Sequence, residues 1–254
     1  MKLIIAGSSG FVATELIRQA LSTPSITEII ALGRRETPPP NKLGPNSDVT
    51  KLRSVVLGDF LSYTDEVKES LESADAVIWT IAISPSKLST VTWEEACVIS
   101  RDYAVKGIDT ITQLPRDGKT EPLRFIYMSG SNAVRDQTKK PLLMGDYLLM
   151  RGDAETKILN YATTSNGTVE TQVTKTGIIE DPVQLSVVSK LGRAFLRSLV
   201  GLPKINVDVI AAALLDQAIN GFEKDTLLNE DLVRIGEARL AAGASGQNQA
   251  PSTG

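Results

Sequence analysis

The 254-residue sequence predicts an α/β fold: a doubly wound parallel sheet in a single domain, with a small C-terminal portion shaping a substrate pocket. Three observations carry this. Short, uniformly apolar runs alternate with stretches whose apolar residues recur at helical spacing. Runs apolar on both faces belong in a parallel sheet covered by helices on each side. Residues 1–240 contain no linker, composition shift or internal repeat, whereas 241–254 read as a polar tail expected to be disordered.

The first apolar run is 2–7, "KLIIAG", which stops at glycine and leads into a helix over 11–22. The second, 28–33 "EIIALG", is followed by a proline-rich polar stretch too irregular for regular structure. The third run is 53–60, with a short helix over 65–73, and the fourth is 74–82, with a long helical stretch over 92–114. The fifth is 123–130, "LRFIYMSG", before a helix over 147–162. A sixth strand begins at 169 and runs into a loop near 181. Further helices are expected over 188–200 and 207–222, and 231–242 reads as a late strand or a last helix.

Composition narrows the chemistry. The chain has no histidine and one cysteine, Cys97. Histidine-ligated zinc, a serine–histidine–aspartate triad and an intramolecular disulfide framework are therefore excluded. Acid–base work falls to tyrosine, carboxylates, lysine, arginine, water or a cofactor. A net charge of −3 supplies no global basic field for nucleic acid or anionic membrane, and no apolar run is long enough to span a bilayer. The N-terminus reads as a first strand rather than a secretion signal, which makes a cytoplasmic protein the expectation.

"AGSSGFVATEL" sets Gly7, Gly10 and Ala13 in a G-x-x-G-x-x-A spacing between the first strand and first helix. Gly7 permits the tight turn, Gly10 lets backbone approach a pyrophosphate, and the helix start offers free N–H groups. Position after an N-terminal strand is the context this dinucleotide-binding motif requires. The expected cofactor contacts are Gly7, Ser8, Ser9, Gly10, Phe11 and Val12, with Thr80 at the end of the fourth strand. Where an acidic residue would hold ribose hydroxyls, the second strand ends in Arg34 and Arg35. Two guanidinium groups suit a 2′-phosphate, so the expected cofactor is NADP(H). Asp59 reads equally as an adenine contact or a turn aspartate.

Together "AGSSGFVA", "ALGRR", "LGDF" and "YMSGS" resemble the NmrA-like, or atypical short-chain dehydrogenase/reductase, family of Rossmann-fold proteins. The resemblance covers about residues 1–215 and includes "INVDVIAAALLDQAI". It implies an NADP(H) site on a scaffold that serves reductases, redox sensors and non-redox cyclases. In the catalytic members a serine after the fifth strand and a Tyr-x-x-x-Lys pair do the chemistry. Ser129 and Ser131 are the serine candidates here, and Tyr147 falls at the tyrosine. Arg151 stands in place of the lysine, so the implied catalytic set is Tyr147, Ser129 and Arg151, with Arg151 also toward the ribose. Arginine keeps the charge that favours a phenolate but cannot shed a proton in a relay.

Other residues leave alternatives open. Trp79 is either a wall of the cofactor pocket or core, and Lys175 is either a ribose or substrate contact or a solvated charge. Three functions stay in view: an NADP(H)-dependent oxidoreductase on a small carbonyl or imine, a cyclase or isomerase retaining the cofactor, and a redox sensor.

Overall fold

The computed structural model describes residues 1–180 and 202–247, with side chains to 244. The helix expected over 188–200 lies outside the described residues. A seven-stranded sheet forms the centre, in the order β3-β2-β1-β4-β5-β6-β9. Its strands are β1 (Lys2–Ala6), β2 (Glu28–Gly33), β3 (Leu52–Val56), β4 (Ala76–Trp79), β5 (Leu123–Gly130), β6 (Val169–Thr176) and β9 (Thr226–Leu228). Every pairing is parallel. β7 (Ile178–Glu180) and β8 (Lys204–Asn206) pair separately as a two-stranded parallel ribbon.

The helices are α1 (Phe11–Leu21), α2 (Asp65–Leu71), α3 (Trp93–Cys97), α4 (Tyr103–Thr112), α5 (Gly145–Thr164), α6 (Val207–Asn220) and α7 (Asn229–Gln247). The segment 231–242 is thus helical, and α7 continues to Gln247. A π-helical turn, Val98–Asp102, joins α3 to α4.

Alternation along each strand divides the core in two. Leu3, Ile5, Ala31, Ile78 and Ile126 face a layer built from α1, α6 and α7. Ile4, Ala6, Ile30, Val77, Trp79, Phe125 and Tyr127 face the layer of α2, α4 and α5. Trp79 belongs wholly to this second layer: it is fully buried, edge-on to Phe60 and stacked on Phe125 with centroids 5.9 Å apart. It does not wall a pocket.

The chain leaves β1 toward β2 and β3 on one side and returns to add β4 on the other. The crevice at the carboxyl ends of β1 and β4 is where a doubly wound sheet offers a binding site.

Candidate active site

The loop after β1 turns at Gly7, whose φ of +87° is the left-handed conformation that glycine adopts without steric cost. A Cβ there would come within 2.6 Å of the Thr80 Oγ1 beneath it. The Gly7 N–H donates to the Leu32 carbonyl and the Gly10 N–H to the Gly7 carbonyl, which closes the loop on itself. Gly10 is the N-cap of α1 and has no side chain to satisfy the helix start. The first N–H groups of α1, from Phe11 onward, therefore point into the crevice without an intrahelical acceptor.

The predicted contact residues divide around this loop. Ser9, Gly10 and Phe11 are exposed at its rim. Ser8 is fully buried and shares a 2.7 Å hydrogen bond with Thr37, tying the loop to the segment after β2. The Val12 side chain is buried in the α1 core layer, so only its backbone faces the crevice. Thr80 donates to the Ala6 carbonyl at 2.8 Å, locking the ends of β1 and β4 together under Gly7. Arg34 and Arg35 stand exposed immediately past β2. Asp59 is also exposed, and its Oδ1 accepts from the Leu61 N–H at 3.0 Å, as a turn aspartate does. Asp59 and Arg34 both lie close enough to Tyr103 to act on its phenol.

Tyr147 and Arg151 do share a face of α5, and both are buried. The Tyr147 hydroxyl donates to the Ile83 carbonyl at 2.9 Å. Burial raises the pKa of this phenol, against the opposing charge of Arg151. It is a neutral acid at ordinary pH. The Arg151 guanidinium donates to the Ser100 carbonyl at 3.2 Å and to the Met128 carbonyl at 2.8 Å, and lies 5.0 Å from the centroid of the Tyr127 ring. The π-helical turn supplies the Ser100 carbonyl, which also accepts from the Tyr127 hydroxyl at 2.8 Å. One helical irregularity thus seats the buried cation.

Ser129, at the end of β5, is buried, and its hydroxyl donates to Glu155 Oε1 at 2.6 Å. Glu155 is fully buried; its Oε2 accepts from Arg135 Nε at 2.7 Å and lies 3.4 Å from Lys175 Nζ. Lys175 also donates to the Ala133 carbonyl at 2.6 Å. It is thus tied into this cluster rather than presented to the cleft. Ser131 is half-buried beside Ser129. Sequence reasoning missed Glu155, although its place eight residues after Tyr147 continues the same helix face through Arg151. Cys97 is half-buried, and burial raises its thiol pKa, so it is no activated nucleophile. Among the described residues no cluster of carboxylates and cysteine is arranged to hold a metal, and no helix is long and apolar enough to cross a membrane.

Comparison with known proteins agrees with this architecture. Residues 4–175 match the family model of the 3-beta hydroxysteroid dehydrogenase/isomerase family. No curated protein matches the sequence. Among solved structures, the fold is similar to MoeE5 in complex with UDP-glucuronic acid and NAD, at 17% identity and a TM-score of 0.63, over 90% of this chain and 75% of that one. The PhqB reductase domain from Penicillium fellutanum aligns at 16% identity and a TM-score of 0.65, over 91% and 67% of the two chains. Vestitone reductase from alfalfa (Medicago sativa L.) aligns at 15% identity and a TM-score of 0.58, over 89% and 76%. With the family match spanning more than half its length, the chain belongs to the 3-beta hydroxysteroid dehydrogenase/isomerase family.

Proposed function

We propose that this protein is an NADP(H)-dependent oxidoreductase that reduces a carbonyl or imine of a small organic molecule. The observation that carries the reading is the uncapped start of α1 behind the Gly7 turn, with Arg34 and Arg35 exposed at the neighbouring strand end. The tight turn at Gly7 and the free helix-start N–H groups behind it fit a pyrophosphate. The two guanidinium groups fit a 2′-phosphate better than ribose hydroxyls. The arginine pair also supports the narrower resemblance to NmrA-like members.

When bound, the cofactor supplies or removes a hydride. The protein's part is to hold the substrate and move one proton. Because its phenol is neutral, Tyr147 serves as the acid: its O–H turns from the Ile83 carbonyl to the reacting oxygen or nitrogen and gives up the proton. Arg151 stabilises the phenolate left behind, and water returns the proton. Arg151 itself takes no part in a relay, since it does not deprotonate. Ser129, its proton held by Glu155, keeps only lone pairs to offer and helps to set the position of β5 against α5.

The test is calorimetric titration with NADPH, NADP⁺ and NADH, repeated on Arg34→Ala/Arg35→Ala. Each charge-assisted hydrogen bond is worth about 1.5–3 kcal/mol, so the wild type should favour NADPH over NADH by roughly tenfold or more. The double variant should lose that preference. Equal affinities in the wild type would refute the NADP(H) assignment.

A second reading has its own observation: Tyr147, Arg151 and Ser129 each donate to a group of the protein itself. That favours a protein that holds the cofactor without hydride transfer, either a cyclase or a sensor. Product formation with the cofactor's oxidation state unchanged would select the cyclase; no turnover, with unequal affinities for NADPH and NADP⁺, would select the sensor.

A further inference from the structure

We propose that Tyr103 is a third member of the site formed by Arg34 and Asp59, and that it determines affinity for the 2′-phosphorylated adenosine end of the cofactor. This deepens the NADP(H) reading and rests on it. Three elements meet at this point. Arg34 follows β2 and Asp59 follows β3, and these neighbouring strands end together, with the Leu57 N–H donating to the Gly33 carbonyl at 2.8 Å. Tyr103 arrives from the opposite side of the crevice as the first residue of α4.

The ring of Tyr103 is held rather than free. It lies 5.4 Å, centroid to centroid, from the buried Phe60 at a 32° tilt, at the edge of the core layer. Its hydroxyl end reaches the neighbourhood of an exposed carboxylate and an exposed guanidinium. The ring packs against this core layer, but its hydroxyl end does not: it stands at the surface beside Asp59 and Arg34, where packing alone does not call for a phenol. It does suit a ligand with both a donor and an anion. An exocyclic amine can donate to Asp59 and a phosphate can accept from Arg34, while the phenol edge lies against the purine or ribose between them and its hydroxyl donates to the phosphate.

The π-helical turn connects this site to the catalytic candidates. Its extra residue turns the Ser100 carbonyl inward to Arg151 and Tyr127, and α4 begins immediately afterwards with Tyr103 at the crevice. A plain α-helix through 98–102 would rotate these residues relative to each other and lose one of the two placements.

The experiment uses adenosine 2′,5′-bisphosphate, which carries the phosphorylated adenosine without nicotinamide. Its affinity is measured calorimetrically for the wild type, Tyr103→Phe and Tyr103→Ala. Tyr103→Phe keeps the ring on Phe60 and should weaken binding about 2–10-fold, the worth of one hydrogen bond. Tyr103→Ala should weaken it more than tenfold. In the wild-type protein, saturating bisphosphate should also protect Tyr103 from nitration by tetranitromethane, read by peptide mapping; this readout does not depend on a variant folding. If the wild type binds the bisphosphate but neither variant loses affinity, or Tyr103 is nitrated equally with and without it, the inference is overturned and the NADP(H) reading stands. If the wild type does not bind the bisphosphate at all, the NADP(H) reading fails and takes this inference with it.

Discussion

Glu155 offers a sharp test of how the site is held together, because a buried carboxylate surrounded by two cations and a hydroxyl is either a strong fastening or an expensive defect. Glu155 is fully buried and takes hydrogen bonds from Ser129 at 2.6 Å and Arg135 at 2.7 Å, with Lys175 at 3.4 Å. In Glu155→Ala, Arg135 suffers least: its side chain is about a third exposed, and it still donates to Thr226 Oγ1. Lys175 keeps the Ala133 carbonyl but becomes a poorly solvated charge, its side chain only 14% exposed, and Ser129 loses its acceptor. Breaking a buried ion pair from one side costs about 3–5 kcal/mol. At roughly 2–4 °C per kcal/mol for a chain of this size, Tm should fall by about 6–20 °C. Glu155→Gln keeps the volume and an acceptor for Ser129 but not the charge, and should lose about 1–3 kcal/mol. Thermal and urea unfolding followed by circular dichroism measure both. An alanine variant within about 2 °C of the wild type would mean that the cluster is solvated and does not hold β5 and β6 to α5.

Three further outcomes follow from the same geometry. Gly7→Ala places a Cβ 2.6 Å from Thr80 Oγ1 at a φ of +87°, so NADPH affinity by calorimetry should fall about 5–30-fold, as a strain of about 1–2 kcal/mol implies; unchanged affinity would show that the loop does not bind the cofactor. Gly107→Ala would put a methyl group 2.3 Å from the Trp79 ring, and the overpacking cost of about 1–3 kcal/mol should outweigh the roughly 1 kcal/mol gained in helix propensity, lowering the urea midpoint. Burial pushes the Tyr127 phenol up to about 12; because its folded pKa is raised, its contribution is complete below the unfolded value near 10 and is lost as pH rises toward 12. By pH 11 the wild type should have lost about 1–1.5 kcal/mol that Tyr127→Phe does not lose, and parallel stability–pH curves for the two would contradict this.

The sheet was legible because β1, β2, β4 and β5 carry apolar runs bounded by glycine or polar turns, and such runs have few alternatives to a buried parallel strand; β6, VETQVTKT, is largely polar and shows as a strand through its β-branched residues instead. β9 was not, since Thr226–Leu228 is three residues, too short to show a period, and takes its strand identity from lying beside β6. The same holds for the β7–β8 ribbon. The π-helical turn was invisible for a different reason. One extra residue inside a helical stretch leaves composition and local spacing unchanged, and the turn shows itself only through the Ser100 carbonyl it releases to Arg151 and Tyr127.

The glycine loop was readable because it is a backbone requirement, and backbone requirements select residue types at fixed spacing. The polar side chains were harder, because spacing says which residues can meet but not which neighbour each will choose. Tyr147 and Arg151 were rightly placed on one face, yet the pair is part of a row of three with Glu155, and each member bonds outward to other elements rather than to its helical neighbour. Tyr147 reaches the segment after β4, Arg151 the π-helical turn and β5, and Glu155 the ends of β5 and β6. This makes the arginine intelligible. A lysine ammonium carries its donors at a single point and cannot bridge the Ser100 and Met128 carbonyls in the planar, forked manner of a guanidinium, nor lie as flat against the Tyr127 ring. Arg151 therefore combines two tasks, holding the helix row to the sheet and biasing the phenol one turn away. If Tyr147 is the acid, its proton must return from solvent rather than through residue 151.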